Sequence, residues 1–246
     1  MPSTLPVSGP GVTFSAWNTA RRHSHPIRNP HEKAKRCTTM NPLLTGWEEG
    51  YATRGHLWGG QSDILPPLAP GSRVLELGCG NGRSIPGMLS REWQVCALDF
   101  SRQAILLSRD VPGTASRVTW IIGDGCALPF QNAVFDAVVA SHIFGHLPAA
   151  SRSEAANEVW RVLKTGGRLV FRAFARDDMR SGKGEEVEDH TYRRGDGIHT
   201  HYFTEDEVKR LFNRFSPGSI RTRRWTQRIR GIGHTRSVIE ADLLCI

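Results

Sequence analysis

From residue 73 onward, apolar residues fall into short blocks separated by polar, Gly-containing or helix-patterned stretches. Five blocks predict strands: Arg73–Leu77, Gln94–Leu98, Val118–Ile122, Phe135–Ala140 and Arg168–Phe174. Helical spacing fills the intervals. Ser101 is placed to cap a helix carrying Ala104, Ile105 and Leu107. Ser151-Arg-Ser-Glu154 and Thr204-Glu-Asp-Glu207 both predict capping boxes, in which hydroxyl and carboxylate satisfy each other's orphan backbone N–H groups. The first precedes Val159, Val162 and Leu163, and the second precedes Val208, Leu211, Phe212 and Phe215. Strand–helix alternation at this spacing predicts βαβ units and a parallel sheet. The ending differs: Ile220–Ile229 and Ser237–Cys245 are separated by a Gly-Ile-Gly turn region and predict an antiparallel pair closing the sheet. No internal repeat is present.

Residues 1–40 break this pattern. They combine Pro, Ser, Thr, His and Arg without apolar periodicity, a disorder composition, and the ordered pattern begins near Met40, a candidate natural start. An organelle transit peptide shares the composition, but Pro2, Pro6, Pro10, Pro26 and Pro30 oppose the amphipathic helix it needs. The expected organisation is a disordered extension over 1–40 and one domain over 41–246. The 246 residues suffice for one sizeable α/β core. The net charge of +8 is unevenly spread: residues 1–40 carry +5, residues 208–239 carry +9, and the remainder carries −6. Such patches favour anionic partners. No apolar stretch approaches the roughly 20 residues that span a bilayer, so no membrane partner is expected. Five scattered cysteines with no Cys-x-x-Cys pair argue against a disulfide framework or a thiolate zinc site, and fit a reducing cytoplasm.

The strongest local signal is Val74-Leu-Glu-Leu-Gly-Cys-Gly-Asn-Gly82, an apolar strand running into three glycines at alternate positions. Such a turn lets a ligand approach the backbone without a Cβ clash and aims helix N–H groups at it. Asp99 closes the next strand, where a carboxylate can accept from ribose hydroxyls. A dinucleotide fingerprint fails, since the sixth position is Arg83 counted from Gly78 and Ile85 counted from Gly80.

In these residues the chain resembles the class I S-adenosylmethionine-dependent methyltransferases of the compact domain-11 type. Five segments carry the resemblance, in order and at family spacing: Glu76–Gly82, Leu98–Ser101, Gly123–Phe130, Phe135–His142 and Arg161–Gly167. It implies an α/β, Rossmann-like three-layer sandwich whose seven-stranded sheet is mostly parallel with the last strand antiparallel. It also implies S-adenosylmethionine as cofactor. Gly78 and Gly80, with Cys79 between them, would give close approach to the cofactor's methionine and sugar. Glu76 would orient its ammonium, Asp99 its ribose, and Phe100 would lie beside the adenine. Asp124 would accept from the adenine amino group, with Gly125 and Cys126 supplying backbone contacts, and Ser141 would face the sulfonium end.

Trp47, Tyr51, Arg54 and Trp58 precede the first strand, where related enzymes often fold over the cofactor. Tyr51 or Arg54 would then meet its carboxylate; alternatively the tryptophans pack the N-terminal helix on the sheet. His142 and His146 follow the fourth strand, where family members place acceptor-facing residues, and an imidazole there can act as a base near neutral pH. A structural hydrogen-bonding role is the competing reading for His146. Residues 177–203 form an insertion expected to act as a hinged cap, with Arg193, Arg194 and Tyr202 as candidate acceptor contacts. His199 and His201 are two apart and His190 is nearby, but no ligand set is complete and no metal is expected. On the terminal pair Arg221 and Arg223 share one face, Arg224, Arg228 and Arg230 the other, with Trp225 available for base stacking; a charge-blunted edge strand is the bland alternative.

The leading expectation is methyl transfer to a small-molecule or protein side-chain acceptor under the closing cap. The alternative is RNA, because Gly123–Phe130 and the His-Tyr-Phe-Thr-Glu-Asp-Glu-Val run (201–208) resemble wobble-uridine tRNA methyltransferases. A third reading is a non-catalytic, cofactor-binding partner subunit.

Overall fold

The computed structural model describes residues 41–55 and 65–246. The expectations for residues 1–40 and for Trp58 lie outside the described residues. The elements are α1 (Asn41–Arg54), β1 (Arg73–Leu77), α2 (Ile85–Leu89), β2 (Gln94–Asp99), α3 (Arg102–Arg109), β3 (Val118–Ile122) and β4 (Phe135–Ser141). A single 3₁₀ turn (Ile143–His146) follows, then α4 (Ala149–Val162), β5 (Leu163–Phe174), three short strands β6 (Glu185–Glu188), β7 (Thr191–Arg193) and β8 (His199–His201), α5 (Glu205–Leu211), β9 (Phe215–Ile229) and β10 (Ile232–Cys245).

The main sheet has seven strands in the order β3-β2-β1-β4-β5-β10-β9. The first five are mutually parallel, and β10 alone runs against its neighbours β5 and β9. The strand alternation sorts side chains onto two apolar layers. Leu75, Leu77, Val138, Leu169 and Phe171 face α4 and α5 on one side. Val74, Val95, Ala97, Val139 and Val170 face Ile85, Met88 and Ile105 of α2 and α3 on the other. Both faces are covered, which is why the inner strands are apolar at nearly every position.

Local signals hold in part. Ser101 Oγ accepts from Ala104 N–H, as its position predicts. Thr204 and Glu207 form the reciprocal box, with Glu207 N–H donating to Thr204 Oγ1 at 3.2 Å and Thr204 N–H to Glu207 Oε2 at 2.7 Å. The box expected at Ser151–Glu154 does not form. The helix α4 starts three residues earlier, with Pro148 at its N-cap, and Ser151 lies within it. A distant carboxylate does the capping: Glu188 of β6 accepts from Ala149 N–H at 3.2 Å. Strand β5 also begins earlier than expected, at Leu163, and the expected loop over 177–203 contains a three-stranded antiparallel sheet, β6-β7-β8.

The last two strands extend far beyond β5. The final pairing of β10 with β5 is Val238↔Phe174, while residues 232–237 pair only with β9. Six paired positions at about 3.3 Å each carry the ribbon roughly 20 Å past the end of β5, its inner half tied back by Ala175 and Met179 N–H, which donate to Ser237 O and Thr235 O. Since β9 runs parallel to β5, the ribbon leaves the sheet at its carboxyl edge.

Candidate functional site at the carboxyl edge

An open cleft lies where β1, β2 and β4 end. Its floor is the Gly-rich turn after β1. Gly78 and Gly80 adopt φ of +71° and +53°. A Cβ at Gly78 would lie 2.9 Å from Ile143 Cβ, and one at Gly80 would lie 2.7 Å from the Tyr51 hydroxyl. Neither position has room for a side chain, and both turns need the left-handed conformation glycine adopts freely. Gly78 and Cys79 N–H groups both donate to Leu98 O, tying the turn to β2.

Asp99 bridges two loops. Its Oδ2 accepts from Gly80 N–H and its Oδ1 from Ser101 N–H, both at 2.9 Å. Burial pushes its carboxyl up to about 6, against the lowering effect of those donors. Glu76 is buried on the cleft wall, and burial pushes its carboxyl up to about 8, partly opposed by Ser84 and Arg83. Glu76 Oε2 has no hydrogen-bond partner among the described residues. Burial first, then Asp99 and Glu76, hold the Cys79 thiol far above its ordinary range, so it stays protonated and unreactive.

The roof is α1. Trp47 stacks on Tyr51 at 5.8 Å and meets the edge of His146 at 4.7 Å, while both pack against Ala104 and Ile198. Glu48 accepts from Arg102 and Gln103 N–H, fastening the helix to the start of α3. Trp47 both packs α1 and lines the cleft.

Ser141, His142 and His146 close the third side. His142 sits at φ +67°, a costly conformation for a β-branchless but bulky residue, and its ring packs 4.4 Å from Phe174. Burial, then Arg172, holds its imidazole well below the usual histidine range. His146 Nδ1 lies 2.7 Å from His199 O. A carbonyl only accepts, so Nδ1 carries the proton and Nε2 is left as an acceptor. Burial pushes this imidazole down to about 4.

Of the residues singled out in the sequence, Tyr51, Glu76, Gly78, Cys79, Gly80, Asp99, Phe100, Ser141, His142 and His146 line the cleft. Gly125 lines a small annex beside Phe100 and Ile143. Asp124 does not line either space; its Oδ1 accepts from Cys126 N–H at 2.8 Å, and the Cys126 thiol reaches Ser151 O. Arg54 points away, to Asp196 at 3.5 Å. Tyr202 is fully buried against Phe174 and Tyr192, outside the cleft. Arg193 pairs with Glu185 on the surface. His201 is buried between Thr191 and Glu207; the grouping with metal-ligand spacing among the described residues is Glu186, Asp189 and the half-buried His190. Asn81, Arg83, Ser84 and Ile143 line the cleft without having been expected. The first three continue the Gly-rich turn, and that adjacency was the available signal.

The residues fit an S-adenosyl cofactor on the geometry alone. A cradle without Cβ atoms, an unpartnered buried carboxylate oxygen for an ammonium, and an aspartate with spare lone pairs for a ribose stand in one cleft. Residues 75–171 match the family model of a methyltransferase domain. The chain contains a class I S-adenosylmethionine-dependent methyltransferase domain. Its cofactor is S-adenosylmethionine. The domain is 25% identical to a solved SAM-dependent methyltransferase of Methanosarcina mazei, covering 75% of this chain and 100% of that one at a TM-score of 0.62. Among curated proteins it is 30% identical over 221 residues to the tRNA N(3)-cytidine methyltransferase METTL2 of Mus musculus, covering 83% of this chain and 52% of that protein. It is 28% identical over 164 residues to the tRNA N(3)-methylcytidine methyltransferase trm140 of Schizosaccharomyces pombe, covering 62% of this chain and 53% of that protein. The methyltransferase chain thus spans about half the length of these curated relatives. Among its described residues no helix is long and apolar enough to cross a membrane.

Proposed function

We propose that this chain methylates RNA, with a cytidine of tRNA as the first acceptor to test. The relatives turn the reading away from the small-molecule or protein acceptor that the insertion suggested. The observation that carries it is the ribbon. It projects from the same carboxyl edge as the cleft, and its outer half exposes Arg228 and Arg230, while the indole of Trp225 lies at its base between Arg223 and Arg236. The inner arginines are committed to the protein: Arg221 and Arg223 lie 3.0 and 3.5 Å from the buried Glu240, and Arg224 pairs with Asp177. Arg228 and Arg230 at the tip, unpaired among the described residues, thus add charge to an inner stretch where Arg172, Arg221 and Arg223 share the single carboxylate of Glu240.

When bound, the cofactor supplies an electrophilic methyl group on a positively charged sulfur. The protein's task is to hold the acceptor in line and exclude water. Glu76 takes the ammonium, Asp99 the ribose, and Phe100 with Gly125 the adenine side. Arg83, which lines the cleft, serves the carboxylate in place of Arg54. His142 and His146 stay neutral at physiological pH and offer hydrogen bonds to an acceptor base without adding charge. A ring nitrogen with a free lone pair needs no deprotonation before attack, which suits two imidazoles too weakly basic to act as strong bases.

The test is transfer of label from methyl-labelled S-adenosylmethionine to total tRNA, followed by digestion to nucleosides. Label in a methylated cytidine supports the reading. Label confined to acid-soluble metabolites, with tRNA unlabelled, overturns it.

A further inference from the structure

Phe174 ends β5 at the carboxyl edge, and one side of its ring faces His142, which lines the cleft. Besides Tyr202 and Val238, the ring meets two cations. The Arg236 guanidinium stands 5.4 Å from the ring centre and that of Arg180 stands 5.6 Å away. The neighbouring Tyr202 hydroxyl accepts from Arg194 Nη2 at 3.3 Å. Three guanidinium groups thus surround one Phe–Tyr pair.

The carboxylate among them is already spent. Asp178 is buried, and its Oδ2 accepts from Arg236 Nε at 2.8 Å and from Ser237 N–H at 3.0 Å. Its Oδ1 accepts from the Arg180 backbone N–H at 3.0 Å. Among the described residues, the side chains of Arg180 and Arg194 have no carboxylate within 4 Å, although both are half-buried. Burial, then the neighbouring Arg236, holds the Arg180 guanidinium below its ordinary range. Arg236 and Arg194 both repel the Arg180 guanidinium and Asp178 only partly offsets them, so an anion at this half-buried cluster relieves the repulsion. Guanidinium forks match the oxygens of a phosphate in geometry as well as charge.

We propose that Arg180 and Arg194 form a phosphate subsite for the acceptor, one aromatic ring removed from His142. It rests on the methyltransferase reading above and deepens it. The phosphate is a backbone phosphodiester next to the methylated nucleotide, or the phosphate of a free nucleotide. In either case the subsite sets how far the base reaches into the cleft, and the buried Tyr202 acts by orienting Arg194.

The experiment compares wild type with Arg180→Gln, Arg194→Gln and, as a charge-preserving control, Arg180→Lys. Binding of S-adenosylhomocysteine by calorimetry should stay within twofold in all variants, since neither arginine lines the cofactor cleft. Affinity for a tRNA anticodon stem–loop at 0.1 M salt should fall at least fivefold in each Gln variant. The slope of log affinity against log salt should become shallower by about 0.7–0.9 for each arginine removed. Arg180→Lys should recover most of the loss. Methylation of free cytidine 5′-monophosphate with tRNA left unlabelled assigns the phosphate to a free nucleotide; methylation confined to tRNA assigns it to the RNA backbone. A separate arm does not depend on RNA: inorganic phosphate should protect Arg180 and Arg194 from phenylglyoxal, read by peptide mass. Protection without any RNA binding would sink the RNA reading and keep the subsite. Wild-type affinity and slope in both Gln variants, or equal phenylglyoxal labelling with and without phosphate, would overturn the subsite.

Discussion

Glu76 makes the most demanding prediction, because its burial ties cofactor binding to the stability of the empty protein. Its carboxyl is raised from 4.5 to about 8. Between those values the folded chain holds a proton that the unfolded chain has released. Stability therefore falls as pH rises through that window, at about 1.4 kcal/mol per pH unit, and this contribution is flat below and above it. The substitution Glu76→Gln keeps the shape and removes the titration. Denaturant unfolding of the cofactor-free protein at pH 5, 6, 7 and 8 should show the variant gaining on wild type by about 1.4 kcal/mol per pH unit, roughly 4 kcal/mol across the range. The same substitution should weaken cofactor binding, since the unpartnered Oε2 is the acceptor for the ammonium. Calorimetry at pH 7 in buffers of different ionisation enthalpy should show wild type releasing close to one proton on binding S-adenosylhomocysteine, and the variant releasing none. A stability difference that is constant from pH 5 to 8 would refute the reasoning, whatever its sign.

Other expectations are simpler. Asp99→Ala removes two buried charge-assisted bonds within the protein, worth about 1.5–3 kcal/mol each, so unfolding free energy should fall, and cofactor affinity should fall as well by calorimetry because the ribose acceptor is gone; in wild type, affinity should decline as pH falls through about 6, where Asp99 gains its proton. Gly78→Ala meets both a positive φ and Ile143 at 2.9 Å, whereas Gly71→Ala meets a positive φ and open space, so the first should lower thermal stability more than the second, the strain itself costing about 1–3 kcal/mol. Thr204→Ala should cost about 1 kcal/mol of unfolding free energy through the lost cap and leave cofactor affinity unchanged. Replacing Arg228 and Arg230 together by Gln should flatten the salt dependence of RNA binding by about 1.5 in log–log slope, without moving S-adenosylhomocysteine affinity.

The sequence by itself determined the sheet and the floor of the cleft. Strands β1 to β5 carry their apolar pattern locally, because a strand covered on both faces must be apolar almost throughout. Glycines at 78 and 80 are dictated by backbone conformation and close approach, so they show in the sequence without knowledge of the partners. Asp99 is legible for the same reason, since it closes a strand beside that turn. The caps at Ser101 and Thr204 are also local, each bonding within three residues.

What the sequence could not carry were choices made between distant segments. Glu188 displaced the Ser151 box because it reaches the start of α4 across 39 residues, and no local pattern records that. Arg54 turned to Asp196, which the loop between β7 and β8 brings within 3.5 Å, and Arg83 lines the cleft wall instead. Tyr202 left the acceptor side because burying its ring against Phe174 and Tyr192 outweighs exposing it, and the hydroxyl finds Arg194 without reaching the cleft. The cap strands stayed hidden because they are three or four residues long and mostly polar, held by pairing with one another instead of by an apolar face. Which arginines of the ribbon remain available was likewise a tertiary decision: Glu240 is buried on β10, and only the folded register brings Arg221 and Arg223 onto it while leaving Arg228 and Arg230 in solvent. Periodicity fixes which face a side chain takes, but the balance of burial against ion pairing fixes which partner it finds there, and that balance exists only once the chain has closed on itself.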